Sequence, residues 1–301
     1  MTAPDTAQAA ARQLGNTAET QVHAGRVEDA ITSLRRALTL DPGYHAAHRR
    51  IWHLYSDLGR LQQAIDAFRA ALLVRFRGAP PPHLKSTRQR IEHTTLCAID
   101  CVNLELTIPA LQRSLAGCEF DAVKLLTHLP VSAPGIDVVP IAPLDSIAAY
   151  SKFVIKQLIH HIDTDHVLLI QWDGFVCDPA AWAHTFLLYD YIGARWPLGL
   201  NGVTPECAVG NGGFSLRSRS LLAALQDETI NAENPEDAVI CIRHRPYLEQ
   251  RHDIAFADAA TADRFSSEHC ALETPTFGFH GIINVSRHLP WPELQRFDFF
   301  G

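Results

Sequence analysis

The chain has 301 residues, a formal charge of −7, 47% hydrophobic and 20% charged residues, a composition expected of a soluble globular protein long enough for two domains. With no basic stripe to meet a nucleic acid, phosphate-rich polymers are excluded as partners. Seven cysteines, odd in number and without a C-x-x-C pair, do not make a disulfide framework, and Cys97, Cys118 and Cys241 lie in apolar surroundings, so a reducing compartment is expected.

The first residues lack a basic region followed by an apolar run, and no apolar stretch approaches the ~20 residues that span a bilayer. The expectation is a cytoplasmic protein, or one peripheral at the inner face of the membrane, with no transmembrane segment. Residues from about 10 to 75 repeat at a spacing of 34, with Gly25 matching Gly59, Ala30 matching Ala64, Leu34 matching Phe68 and Ala37 matching Ala71. In each copy the Gly ends a first helix, the Ala permits close packing, and Asp41-Pro42 breaks the chain before the next copy. The period resembles that of tetratricopeptide repeats, with Trp52 and Tyr55 at bulky positions of the second unit. Two such hairpins cannot bury both faces alone, so they are expected to lean on a second domain or another subunit. The alternative is two amphipathic hairpins of another all-α family.

A Gly/Pro-rich stretch from Gly78 to Pro82 stops the helical pattern, giving a helical domain over 1–78, a linker over 79–93 and a second domain over 94–301. There strand and helix alternate. Thr95–Asp100 reads as a strand, Ile108–Ala116 as a helix, Ala122–Thr127 and Val138–Ile141 as strands, and Ile147–Ile162 as a helix. The order predicts a doubly wound, mostly parallel sheet. Asp100 and Asn103, just past the first strand, either face a crevice that would hold a nucleotide base or cap the following helix.

Val167–Ile170, four consecutive aliphatics, reads as a strand buried on both faces that runs through Gln171 and Trp172 into Asp173. A carboxylate there either holds a divalent cation or a sugar hydroxyl, or begins the next turn. The aromatic segment Tyr189–Pro197, with Trp196, either lines a pocket or packs in the core. Next, Gly210, Gly212 and Gly213 flank Asn211 and precede Phe214 and an apolar run read as helix-forming. The loop lacks Gly-Lys-Ser/Thr and G-x-G-x-x-G, so it serves either as a ligand-contacting loop or as a plain tight turn. Glu236 and Asp237 stand at a helix start, as dipole-complementing charges or with one acting as a general base. His280, between aromatics and glycines, is either structural or a metal ligand.

A strand ending in Asp, a glycine-rich loop, a Glu-Asp pair and a late His follow one another in nucleotide-sugar glycosyltransferases of the GT-A fold. Residues 93–290 resemble a bacterial family of that type with the stretch Gly-Asn-Gly-Gly-Phe-Ser-Leu-Arg, here Gly210–Arg217, and often an N-terminal tetratricopeptide segment. The resemblance implies a GT-A-like sheet, transfer from a nucleoside diphosphate-sugar to a glycan or glycolipid, and a place in cell-surface polysaccharide synthesis. By position it makes Asp173 the last residue of the Asp-x-Asp motif, with His280 completing a Mn²⁺ or Mg²⁺ site. Gln171 stands at the first Asp, removing one carboxylate. The donor set becomes Asp100, Asn103, Lys152, Gln171, Asp173, Gly212 and Gly213, and the acceptor set Trp196, Asn211 and Phe214. Asp237, with Glu236 beside it, becomes the base of an inverting transfer. If no metal binds, Lys152, Arg217 and Arg219 are left to meet the diphosphate, or they are solvated surface charges. The reading from another class is a tetratricopeptide adaptor whose α/β domain binds a nucleotide-sugar or protein without turnover.

Overall fold

The computed structural model describes residues 3–42, 44–60, 63, 67, 88–199, 202–269, 275–281, 284, 285 and 288. The chain divides into two compact units, Met1–Pro81 with Ser286–Gly301, and Pro82–Val285. In the first, helices span Ala3–His23, Val27–Leu40 and His45–Asp57. The second helix buries Ala30, Ile31, Leu34 and Ala37, the stripe expected of a 3.6-residue period, and opens with Glu28 and Asp29 where the helix dipole favours acids. Its stripe joins Ala18, Ala47, Ile51, Leu54 and Tyr55 in one core, with Trp52 packed against the rim. Gly25 and Gly59 follow the first and third helices with φ of +72° and +67°, the left-handed conformation that ends helices and favours Gly. Ala64, Phe68 and Ala71 lie outside the described residues.

The second unit is mixed α/β around a mostly parallel sheet. Its strands are β1 (Gln89–Ile99), β2 (Cys118–Thr127), β3 (Asp137–Pro140), β4 (His166–Ile170), β5 (Phe175–Val176), β6 (Tyr191–Ile192), β7 (Phe214–Ser218), β8 (Ser266–Ser267) and β9 (Gly278–Phe279). The larger sheet has the order β3-β2-β1-β4-β7-β6, and the smaller has β5-β9-β8. β1 pairs in parallel with β2 and β4, and β2 with β3, while β7 runs antiparallel to β4 and β6. β1 begins at Gln89, so the sheet starts inside the stretch read as linker.

All of β4 is buried, as a central strand covered on both faces must be. On one face Cys97, Ile99, Val167 and Leu169 pack against Val154, Ile155, Leu158, Leu221, Leu222 and Ile240. The helix expected over 147–162 is capped by the Ser146 hydroxyl, which accepts from the Ala149 amide, and runs from Ile147 to Lys156 before tightening into a 3₁₀ turn, Leu158–His161.

One element differs in kind. The run after the glycines, read as helix-forming, is strand β7, and all five of its residues are buried. Pairing with the buried strand β4 overrides its helix-compatible composition. The helix starts only at Arg219, where Ser218 accepts from the Leu221 amide.

The chain leaves β1 toward β2 and β3 and returns through β4 on the other side. This reversal opens a crevice at the carboxyl ends of β1 and β4, the place where open α/β sheets bind ligands. Because β7 is antiparallel to β4, the glycine loop that precedes it arrives at the same end. Among the described residues no helix is long and apolar enough to cross a membrane.

Candidate functional site

A cavity of about 650 Å³ occupies that crevice. The turn after β1 contributes Asp100, Cys101, Val102 and Asn103; the turn after β4, Gln171 and Trp172; the glycine loop, Asn211, Gly212 and Gly213; and the segment at the next helix start, Pro235 to Ala238. Tyr150, Trp196, Glu268 and His280 complete much of the wall.

Asp100 is committed to structure. Its Oδ1 accepts from the Val102 and Asn103 amides at 2.7 and 2.8 Å, and its Oδ2 accepts from the Thr107 hydroxyl. It fastens the turn into the helix Leu104–Gly117, which leaves Asn103 as the more available polar group of that pair. Lys152 is exposed on the helix Ile147–Lys156 and is not among the described cavity residues. The wall residue on that helix is Tyr150, whose hydroxyl accepts from Gln171 Nε2 at 3.2 Å; burial raises the Tyr150 pKa.

The glycine loop is more than a tight turn. Its left-handed residue is Asn211, at φ +69°, not a glycine, and the Asn211 Oδ1 accepts from the Gly213 and Phe214 amides at 2.9 and 3.3 Å. The glycines serve close approach. A Cβ at Gly210 would lie 2.1 Å from the Trp196 ring, one at Gly212 2.1 Å from Glu236 Oε1, and one at Gly213 2.0 Å from His280 Nε2. Phe214, read as an acceptor contact, is fully buried and packs against Phe265 and Phe277. Both faces of β7 are covered, so Phe214 lies in the core and not on the cavity wall.

Glu236 and Asp237 sit side by side but do different things. Glu236 Oε1 meets Arg217 Nη2 at 3.1 Å, with the side chains 7% and 0% exposed. Arg217 also donates from Nε to Ser215 Oγ at 3.0 Å and lies over the Tyr191 ring, so it is a buried strut and not a surface charge. Asp237 Oδ2 accepts from the Gly212 amide at 3.0 Å and Oδ1 from the Ala238 amide at 2.7 Å. Burial, and then the neighbouring Glu236 charge, push the Asp237 carboxyl up to about 6, a range suited to a general base near neutral pH. Arg219 turns the other way, donating to the Ile162 carbonyl.

At the opposite wall His280 stands between two acids. Its Nε2 is 3.2 Å from Asp173 Oδ1 and 3.2 Å from Gln171 Oε1, and its Nδ1 is 3.0 Å from Glu268 Oε1. Burial opposes the imidazolium, but Asp173 and Glu268 together hold the His280 pKa well above its usual value. Asp173 is buried behind His280 and does not itself appear among the cavity residues. Glu268 escapes sequence reading, since nothing in Ser266-Ser267-Glu268-His269 marks it out; only the pairing of β8 with β9 brings it beside His280. Among the described residues no three His, Cys, Asp or Glu side chains form one metal-binding group.

The described wall carries Asp100, Asp145, Glu236, Asp237 and Glu268, and neither Lys nor Arg. Arg217 offsets Glu236 and His280 offsets Glu268, so the wall favours a cation only through its remaining acids.

A model of a family described as "Protein of unknown function (DUF5672)" matches residues 135–280, a span that takes in β4, the glycine loop, Asp237 and His280. No curated protein matches the sequence. A solved structure titled "Crystal Structure of A197 from STIV" superposes with a TM-score of 0.30 at 12% identity over 55% of this chain and 82% of that one, too weak a likeness to carry a fold relationship.

Proposed function

We propose that the chain is a glycosyltransferase that moves a sugar from a nucleoside diphosphate-sugar to a hydroxyl of a glycan or glycolipid, on a GT-A-like sheet preceded by two tetratricopeptide-like hairpins. The observation that carries this reading is Asp237, a cavity carboxylate fixed by two backbone amides and raised to about 6. In an inverting transfer the acceptor oxygen attacks the anomeric carbon, its proton passes to Asp237, and the bond from that carbon to the diphosphate breaks with its electron pair leaving on the phosphate. Trp196 lines the cavity as an apolar surface for a sugar ring, and Asn103 offers an amide for hydroxyls or a base, while the Asn211 amide is taken up within the loop.

The residues fit a divalent cation. Asp173 Oδ1 and His280 Nε2, 3.2 Å apart, are a carboxylate oxygen and an imidazole nitrogen that would together hold a divalent cation. Bound there, Mn²⁺ or Mg²⁺ would offset the charge of the departing diphosphate. The acidic wall favours this version over a metal-free one, because Arg217 is paired with Glu236 and Arg219 bonds the Ile162 carbonyl. The 34-residue separation of Gly25 and Gly59, both left-handed after a helix, supports the repeat.

A thermal-shift panel of nucleoside diphosphate-sugars with and without Mn²⁺ tests the reading. At least one donor is expected to raise the melting temperature, and to do so only with Mn²⁺, because a ligand that binds only the native state stabilises it. A flat response to every donor in both buffers contradicts it.

A further inference from the structure

We propose that Glu268 is a positioning residue, and that by holding Nδ1 of His280 it turns Nε2 toward Asp173 and Gln171 to complete a three-ligand seat for a divalent cation. The inference deepens the glycosyl-transfer reading and takes its cation from it.

Nε2 has two oxygen neighbours at the same distance, Asp173 Oδ1 and Gln171 Oε1, both at 3.2 Å. That is the spacing of adjacent ligands sharing one ion at about 2.1 Å. Gln171 is therefore the third ligand, a neutral oxygen where a second acid would otherwise stand. Its amide is oriented for the role, since Nε2 donates to the Tyr150 hydroxyl at 3.2 Å and leaves Oε1 toward His280. Its backbone is fixed as well, with the Gln171 amide donating to the Gly213 carbonyl at 2.9 Å.

The other side of the imidazole decides which nitrogen is presented. Glu268 Oε1, 3.0 Å from Nδ1, accepts a proton held on Nδ1, so Nε2, which faces the acceptors Asp173 Oδ1 and Gln171 Oε1, is the nitrogen an ion would take in exchange for its proton. Metal-binding histidines commonly rest on a carboxylate in this way. The Asn211 amide nitrogen is a donor and serves Glu268, not a protonated Nδ1, and its orientation is set by the Gly213 and Phe214 amides, which donate to Asn211 Oδ1. The ring cannot slide away over the loop either, because it lies against Gly213, where even a Cβ would stand 2.0 Å from Nε2.

The test is Mn²⁺ binding to the full chain, followed by the electron paramagnetic resonance signal of free Mn²⁺, with melting temperature measured alongside. Wild type is expected to bind Mn²⁺, and Glu268→Gln to weaken it by about 10- to 100-fold. Gln171→Glu adds a carboxylate to the same seat and is expected to tighten binding by about 10-fold, a gain that a merely structural role does not produce. This second variant keeps the test open even if Glu268→Gln fails to fold. Wild-type affinity in a well-folded Glu268→Gln protein, no gain in Gln171→Glu, or no Mn²⁺ binding by wild type overturns the proposal. Mn²⁺ binding that follows these expectations in a protein that takes no nucleoside diphosphate-sugar would uphold the seat and sink the glycosyl-transfer reading. Sugar transfer indifferent to EDTA would do the reverse.

Discussion

Arg217 on β7 is joined to Glu236, the first residue of the short helix Glu236–Ala238, Nη2 to Oε1 at 3.1 Å, with both side chains almost completely buried. Removing one partner of a buried pair strands the other charge, which costs about 3–5 kcal/mol. Glu236→Gln is therefore expected to lower the free energy of unfolding by about that amount in urea titrations. Arg217→Met combined with Glu236→Leu is expected to recover part of it, since it removes both charges. A Glu236→Gln protein as stable as wild type would show that the pair does not hold the loop.

Asp237 predicts opposite pH trends for stability and catalysis. Its carboxyl sits at about 6 in the folded chain against an ordinary value of 3.8, so between pH 4 and 6 the native state binds more protons than the unfolded one. Stability from this group is complete below pH 4 and is lost as pH rises through 6, by about 3 kcal/mol. Asp237→Asn is expected to flatten that slope. Transfer, which needs the ionised base, is expected to rise through pH 6 in wild type and to fall by ~10²-fold or more in Asp237→Asn with donor affinity little changed. If the variant loses stability in proportion to activity, Asp237 is structural.

The two glycines of the loop should fail differently. Gly213→Ala drives a Cβ into His280 and is expected to weaken Mn²⁺ binding by about 10-fold, because it displaces a ligand whose position must be held closely. Gly212→Ala meets Glu236 instead and is expected to cost about 1–3 kcal/mol of stability, the usual range for overpacking. Calorimetry with and without Mn²⁺ separates the two effects, and identical behaviour would contradict the assignment.

In the helical unit, Gly25→Ala and Gly59→Ala are expected to cost about 1 kcal/mol each by thermal unfolding. The backbone at both is left-handed, while the space around them is open, so the cost is conformational and not steric. Tolerance at one site and loss at the other would argue against equivalent positions in a repeat.

Much of the sheet was legible because its strands announce themselves. Val167–Ile170 is an unbroken aliphatic run, and a strand buried on both faces needs one. Phe214–Ser218 reads as helix-forming because its short apolar run has no period of its own, and its pairing with β4, 44 or more residues earlier, makes it a strand. The glycines were legible as a special loop, but their reason was not, since Trp196, Glu236 and His280 meet them only in three dimensions. Asp100 reads equally as a ligand and as a cap, and it is neither: its bonds to the Val102 and Asn103 amides and to Thr107 fix the turn that leads into the helix, whose N-cap position is Asn103. Glu268 could not be found at all without β8 beside β9. Lys152, which reads either as a diphosphate contact or as a solvated surface charge, is exposed and does not line the described cavity.

The most direct measurement is release of nucleoside diphosphate from a panel of nucleotide-sugars by the purified chain with Mn²⁺, compared among wild type, Asp173→Asn and Asp237→Asn. The account predicts release by wild type from at least one donor, abolished by EDTA, reduced in Asp173→Asn with weaker donor binding, and reduced ~10²-fold or more in Asp237→Asn with donor binding kept. A wild-type protein that binds a donor in Mn²⁺ yet releases no nucleoside diphosphate with any glycan or glycolipid acceptor, or an Asp237→Asn protein that releases it at the wild-type rate, would contradict the central claim.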